Sequence, residues 1–241
     1  MSDPEAIRGM FSAISPRYDL LNRLLSMGLD VSWRRKAVRL LAPSPGDVVL
    51  DLCGGTGDLA LEAVKTGARV ICLDFSGPML ARARRKFSRF ASREAPAGHD
   101  GDGAAAPRLV LADALRLPFP DLAFDGVLVG FGVRNLRSLE EGLDEIRRVL
   151  RPGGKACVLE FSRPSGPLAR LYGHYLARIL PRAGDLISGR RGPYQYLART
   201  IRGFPPAEAL GALMSERGFL NVRWRTLSGG IVAVHTGRRP A

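Results

Sequence analysis

A doubly wound α/β sheet is the fold class this sequence predicts, and three observations carry that prediction. From Asp47 onward, apolar strand-like runs alternate with helical patterns, and right-handed crossovers between such runs build a parallel sheet. Three runs in succession end on a carboxylate: Asp51, Asp74 and Asp113. The first passes directly into Asp51-Leu-Cys-Gly-Gly-Thr-Gly-Asp58, a glycine-rich turn into a helix. In an open sheet the ligand crevice lies outside the strand ends, where the strand order reverses.

Ahead of the sheet, residues 4–14 read as a short amphipathic lead. Pro16 to Gly28 reads as a helix that ends on glycine, with Leu20, Leu21, Leu24 and Leu25 on one face. A second helix runs from Asp30 to the Pro43-Ser-Pro-Gly46 turn. Residues 1–46 are thus an N-terminal helical region, either a lid over the site or packing for the sheet; polar Tyr18 and Asp19 on a leucine-rich helix favour the lid. Residues 47–241 form the second division. Its first strand begins at Val48, followed by Arg69–Asp74, Leu109–Asp113, Phe124–Gly132 and Ala156–Phe161. Helices start at Leu59, Pro78 and Leu139, and Ala91 to Pro107 reads as a flexible surface insertion. A second, helical insertion spans about 162–204. The last helix, Ala207–Arg217, then leads to strands Asn221–Leu227 and Ile231–Thr236. That makes seven strands, the C-terminal one antiparallel. Within the helical insertion, Leu168, Leu171, Tyr172, Tyr175, Leu176 and Ile179 form a continuous apolar stripe, with Arg170, His174 and Arg178 on a neighbouring face. The stripe suits a packed helix and a surface for an apolar substrate or bilayer equally well.

With 241 residues and 46% hydrophobic content the chain can bury one large core. No stretch approaches the roughly 18 apolar residues of a membrane span, and the N-terminus has no signal-like apolar region, so a cytoplasmic protein is expected. Cys53, Cys72 and Cys157 lie in apolar runs without C-x-x-C spacing, as buried thiols do, and no metal site is indicated. A net charge of +13 suits nucleic acid or an anionic membrane surface. From Arg163 to Phe204 there are eight arginines and one acid, Asp185, and Ala81 to Arg93 is also basic. Solvated helix faces would account for both. No RNA-binding motif or aromatic-interleaved basic platform accompanies the charge, so no nucleic acid is expected; peripheral association with the inner face of the membrane and a homodimer stay open.

The glycine loop alone leaves the ligand undecided, since Gly55-Thr-Gly-Asp-Leu-Ala60 also satisfies a dinucleotide pattern. Charge separates the readings. Gly54, Gly55 and Gly57 admit a ligand to the backbone, Asp74 is placed for ribose hydroxyls, and Asp113 with Ala114 can bracket an adenine. Asp51 and Asp58 favour a sulfonium and an amino group, where a pyrophosphate would be repelled. This points to S-adenosylmethionine.

The segments Asp51-Leu-Cys-Gly-Gly-Thr-Gly-Asp58, Asp74-Phe-Ser, Ala112-Asp-Ala114, Leu117-Pro-Phe-Pro120 and Val149-Leu-Arg-Pro-Gly-Gly154 resemble class I S-adenosylmethionine methyltransferases, a Rossmann-like fold. Four more segments narrow this: Met10-Phe-Ser-Ala-Ile-Ser-Pro-Arg-Tyr-Asp-Leu-Leu-Asn22, Gly130-Phe-Gly-Val-Arg-Asn135, Tyr194 to Pro205 and Leu227 to His235. These resemble the ubiquinone/menaquinone C-methyltransferase family. Cys53 stands where many relatives have alanine, and Gly130 where some have serine. The resemblance implies C-methylation of a prenylated demethylated quinol, with Asp51, Gly54, Gly55, Thr56, Gly57, Asp74, Asp113, Ala114 and Gly130 at the cofactor. Ring carbon becomes nucleophilic when a neighbouring phenol ionises. At pH 7 that requires on the order of 4 kcal/mol of stabilisation, because a free phenol has a pKa of about 10. Arg134 is the expected stabiliser and Tyr18 the expected hydrogen-bond partner or proton shuttle, with Asp19 or Asp74 as more distant help and His174 as a further base candidate.

Overall fold

The computed structural model describes residue 9 and residues 18–94, 106–188 and 192–241. The expected amphipathic lead, the Met10–Arg17 part of the motif through Asn22, and most of the 91–107 insertion lie outside these residues.

Helix α1 (Tyr18–Leu25) and helix α2 (Leu29–Leu41) are separated by a turn through Gly28 at φ 77. The four leucines expected on one face of α1 divide. Leu21 is fully buried, whereas Leu20 and Leu24 are 55% and 52% exposed, because positions 20 and 24 lie about 100° around the helix from 21 and 25. Leu21 packs with Leu176, Leu180 and Tyr194. On α2, Trp33, Ala37, Val38 and Leu41 are buried against the sheet, and Trp33 Nε1 donates to Ser228 Oγ at 2.9 Å.

The sheet elements follow as β1 (Val48–Leu52), α3 (Asp58–Val64), β2 (Arg69–Asp74), α4 (Gly77–Glu94), β3 (Arg108–Leu111), β4 (Phe124–Gly130), α5 (Leu139–Val149) and β5 (Leu150–Phe161). The insertion comprises α6 (Gly166–His174), a π-helical turn (Tyr175–Ile179), α7 (Leu180–Ser188) and α8 (Pro193–Gly203). Helix α9 (Ala207–Glu216), β6 (Leu220–Leu227) and β7 (Val232–Arg238) complete the chain. The seven strands lie in the order β3-β2-β1-β4-β5-β7-β6, with β1 to β5 parallel and β7 antiparallel to both its neighbours. The doubly wound sheet and its antiparallel C-terminal strand are therefore as expected. Several boundaries are not: β3 ends at Leu111, which leaves Asp113 two residues beyond the strand, and β4 ends at Gly130. Helix α4 continues four residues past Phe90, and β5 starts at Leu150, because the Arg151-Pro-Gly-Gly154 segment pairs with the C-terminus through the N–H of Arg239 on the Gly154 carbonyl.

Alternate strand residues feed two cores. Val49, Cys72, Leu128 and Cys157 face α2, α3 and α4, while Leu50, Leu73, Val127 and Val158 face α5 and α9. Cys72 and Cys157 are fully buried free thiols, and burial pushes Cys157 up to about 12. Strand order reverses between β1 and β4, and their carboxyl ends open the crevice. No helix among the described residues is long and apolar enough to cross a membrane.

Candidate active site

Beyond β1 the chain turns through Cys53 at φ 56, a left-handed conformation costly for a residue with a Cβ. Gly54 has no room for a side chain: a Cβ would sit 2.5 Å from Cys72 Sγ and 2.9 Å from Asp51 Oδ2. Gly55, at φ 58, meets nothing within 4 Å on its Cβ side and so presents bare backbone to the crevice. Gly57 does something different. A Cβ there would lie 2.4 Å from the Phe87 ring, so this glycine lets α4 pack against the loop, and it does not line the cavity.

The crevice is a cavity of about 340 Å³, and Asp51, Gly54, Gly55, Thr56, Asp74, Asp113, Ala114, Gly130 and Tyr18 all line it. Asp74 braces its floor, accepting the Gly55 N–H on Oδ2 and the Ser76 N–H on Oδ1, both at 2.9 Å. Burial pushes Asp74 up to about 6 despite these donors. Asp51 is completely buried, and neither oxygen makes a hydrogen bond of ordinary geometry, the Ala60 N–H being a weak donor to it. Burial drives it up to about 8, the Ala60 N–H and Arg34 oppose this, and Asp74 and Asp58 add to it. A buried carboxylate so weakly satisfied calls for a cationic or hydrogen-donating ligand. Together with the open backbone at Gly55, it fits the amino-acid end of S-adenosylmethionine. Asp113 is at the rim, its Oδ1 accepting the Leu115 N–H at 2.9 Å and its Oδ2 3.6 Å from Arg137.

Asp58 also lines the cavity, but it lies 2.5 Å from Lys86 Nζ and 4.0 Å from Arg34, so much of its charge is balanced within the protein. Arg134 departs from expectation. It lines not this cavity but a neighbouring one of about 670 Å³, with its Nη1 on Glu160 Oε1 at 2.9 Å and on the Phe131 carbonyl, and its guanidinium over the Phe161 ring. Burial pushes the Glu160 carboxyl up even though Arg134 holds it down. The second cavity is walled mainly by apolar side chains, including Leu25, Trp33, Phe161 and all six residues of the expected stripe. His174 is exposed and lines neither cavity.

Tyr18, Arg34 and Phe131 line both cavities and so mark their junction. Phe131 sits at φ 59, a second strained residue at a strand tip. Asn135 lines the first cavity and its Oδ1 accepts from the Tyr196 hydroxyl of the second at 3.2 Å. Sequence reasoning missed Arg34, Lys86, Tyr196 and Glu160. Only Glu160 had a readable signal, as a fourth acid near the end of an apolar strand. Although burial works to lower Arg34, Asp58 and Asp30 outweigh it and raise the guanidinium above its ordinary value.

The ubiE/COQ5 methyltransferase family matches residues 1–239. A demethylmenaquinone methyltransferase of Thermus thermophilus is 48% identical over 234 residues, 96% of this chain and 100% of that protein. A ubiquinone/menaquinone biosynthesis C-methyltransferase of Paracoccus denitrificans is 40% identical over 96% of this chain and 89% of its own length. Among solved structures, a SAM-dependent methyltransferase from Aquifex aeolicus superposes with a TM-score of 0.63 at 15% identity, covering 92% of this chain and 97% of that one, a likeness of fold. With the match running nearly end to end, this chain belongs to the ubiE/COQ5 methyltransferase family.

Proposed function

We propose that this protein methylates a ring carbon of a reduced, prenylated, demethylated quinone, demethylmenaquinol, using S-adenosylmethionine. The observation that carries the reading is the junction: a carboxylate-lined cavity at the strand ends opens beside a larger apolar one, with Tyr18, Arg34 and Phe131 common to both. S-adenosylmethionine supplies an electrophilic methyl group on a positively charged sulfur. Asp51 and the Gly55 backbone face that positive, amino-acid end, Asp74 holds the ribose, and Asp113 with Ala114 takes the base. The apolar cavity receives the ring and the start of the tail. Tyr18 hydrogen-bonds the ring oxygen or moves its proton. Arg34 and Arg134, which stay charged, stabilise the oxygen as it ionises, and closure around the ring aligns its carbon.

The apolar cavity includes Leu24, Met27, Leu171 and Ile179 in its wall, exposed by 52%, 84%, 68% and 49%, and Arg170, Arg178 and Arg182 are exposed on the same insertion. This supports a peripheral position on an anionic membrane, where the tail enters from the bilayer. The relatives' names belong to quinone methylation and lend nothing to RNA as acceptor. The test is radiolabelled methyl transfer to the reduced naphthoquinol, the reduced benzoquinol and RNA. Label in the naphthoquinol ring is expected; label in RNA alone would overturn the reading.

A further inference from the structure

One residue in the basic run of α4 has surroundings unlike a solvated helix face. Lys86 Nζ lies 2.7 Å from Asp19 Oδ2, 2.5 Å from Asp58 Oδ1 and 3.1 Å from Thr56 Oγ1, with its side chain only 25% exposed. Thr56 donates in turn to Asp19 Oδ1 at 2.5 Å. Neither Lys86 nor Asp19 lines either of these two cavities, but both hold residues that do. Thr56 and Asp58 belong to the wall of the carboxylate-lined cavity. Tyr18, next to Asp19, belongs to both, and Asn22, Leu24 and Leu25 on the same helix belong to the apolar one.

Helix α1 is therefore a shared wall with two anchorages. On one side Leu21 is buried among Leu176, Leu180 and Tyr194, and the Tyr175 hydroxyl donates to the Leu25 carbonyl at 3.0 Å, which ties α1 to the insertion. On the other, Asp19 meets Thr56 and Lys86, which ties it to the glycine loop. The second anchorage is electrostatically conditional. Asp19 and Asp58 share one ammonium, and Arg34 reaches only Asp58, at 4.0 Å; without the lysine the Asp19 carboxylate would face Asp58 with no cation between them, which weakens the hold of α1 on the loop.

We propose that Lys86 is a positioning residue that clasps the shared wall to the glycine loop, so that filling either cavity raises the affinity of the other. This rests on the reading above, in which one cavity takes the methyl donor and the other the quinol. A ligand that orders the Thr56 loop sets the acceptors to which Asp19 and Lys86 bind, and so favours the docked position of α1 that completes the apolar cavity. By linkage the effect is reciprocal.

The experiment is calorimetric titration of the full chain with S-adenosylhomocysteine and with a naphthoquinone bearing a short prenyl chain, each alone and with the other saturating. In the unaltered protein each ligand is expected to tighten the other by about tenfold, within the usual span of coupling between sites. Lys86→Met should bring that factor below about two, and Lys86→Arg should keep most of it. Adding Asp19→Asn to Lys86→Met should tighten both ligands relative to Lys86→Met alone, because it removes the like-charge repulsion, a rescue that lost packing would not show. Should Lys86→Met not fold, Asp19→Asn breaks the same link from the other side and is expected to lower the coupling likewise. Independent binding in the unaltered protein, or full coupling in folded Lys86→Met, would overturn the clasp alone. Failure of S-adenosylhomocysteine to bind at all would overturn the functional reading with it.

Discussion

Around the glycine loop the cavity is shaped largely by backbone and by acids at strand ends, whereas its apolar neighbour is walled by side chains from α1, α2 and the insertion. The first is fixed by the sheet: Asp51 and Asp74 are the fourth and last residues of paired parallel strands, and the glycines leave the loop little latitude. The second exists only while α1 and the insertion stay packed on one another through Leu21, Leu176, Leu180 and Tyr194. Rigid backbone suits the chemically constant ligand, and a side-chain lining suits a long apolar one that arrives from outside. The difference predicts that damage to one cavity acts on affinity and damage to the other on order.

The largest effect should come at the first cavity. Asp51→Asn is expected to weaken S-adenosylhomocysteine binding at least a hundredfold by calorimetry, since a buried charged partner is worth on the order of 3 kcal/mol. The same change should alter stability in the opposite sense. In the fold Asp51 keeps its proton to about 8, against an ordinary value of 3.8, so the native state binds more protons than the unfolded one between those limits. Stability from this group is therefore lost as pH rises from about 4 to 8, and Asp51→Asn should raise the melting temperature most at pH 8 and above. A wild-type-like affinity would mean that the carboxylate does not face the ligand. Next in size, Leu21→Ala should cost about 3 kcal/mol of stability by denaturant unfolding. It should also loosen the apolar cavity, with S-adenosylhomocysteine affinity reduced far less; equal losses at both cavities would erase the contrast between them. The smallest is on the surface of the insertion. Arg178→Glu with Arg182→Glu, exposed residues that line neither cavity, should reduce retention on anionic vesicles at least about tenfold while leaving turnover in detergent within about twofold. Undiminished retention would move the membrane face elsewhere.

That contrast also explains what could be read from the chain. Asp51, Gly54, Gly55, Asp74 and Ala114 are local statements: an apolar run, an acid, a glycine, each within a few residues of the next. The strand order follows from alternation and handedness, so the sheet was legible to within a few residues at its ends. Lys86 looked like one more base on a solvated helix because its acceptors, Asp19 and Asp58, lie 67 and 28 positions away in the chain. For the same reason the carboxylate partner of Arg134 could not be named, as Glu160 reaches it only once β5 lies beside β4. The split of the α1 leucines depended on where the insertion docks, which no periodicity within α1 can report.

The π-helical turn at Tyr175–Ile179 interrupts α6 and α7 in mid-course, and there Tyr172 and Tyr175 stack at 15° with centroids 6.1 Å apart. A widened turn is one residue longer than an ordinary one, so gain or loss of a single amino acid there would swing the following helix by about 100°. Such a slip would reshape the apolar cavity while leaving the cavity at the strand ends untouched.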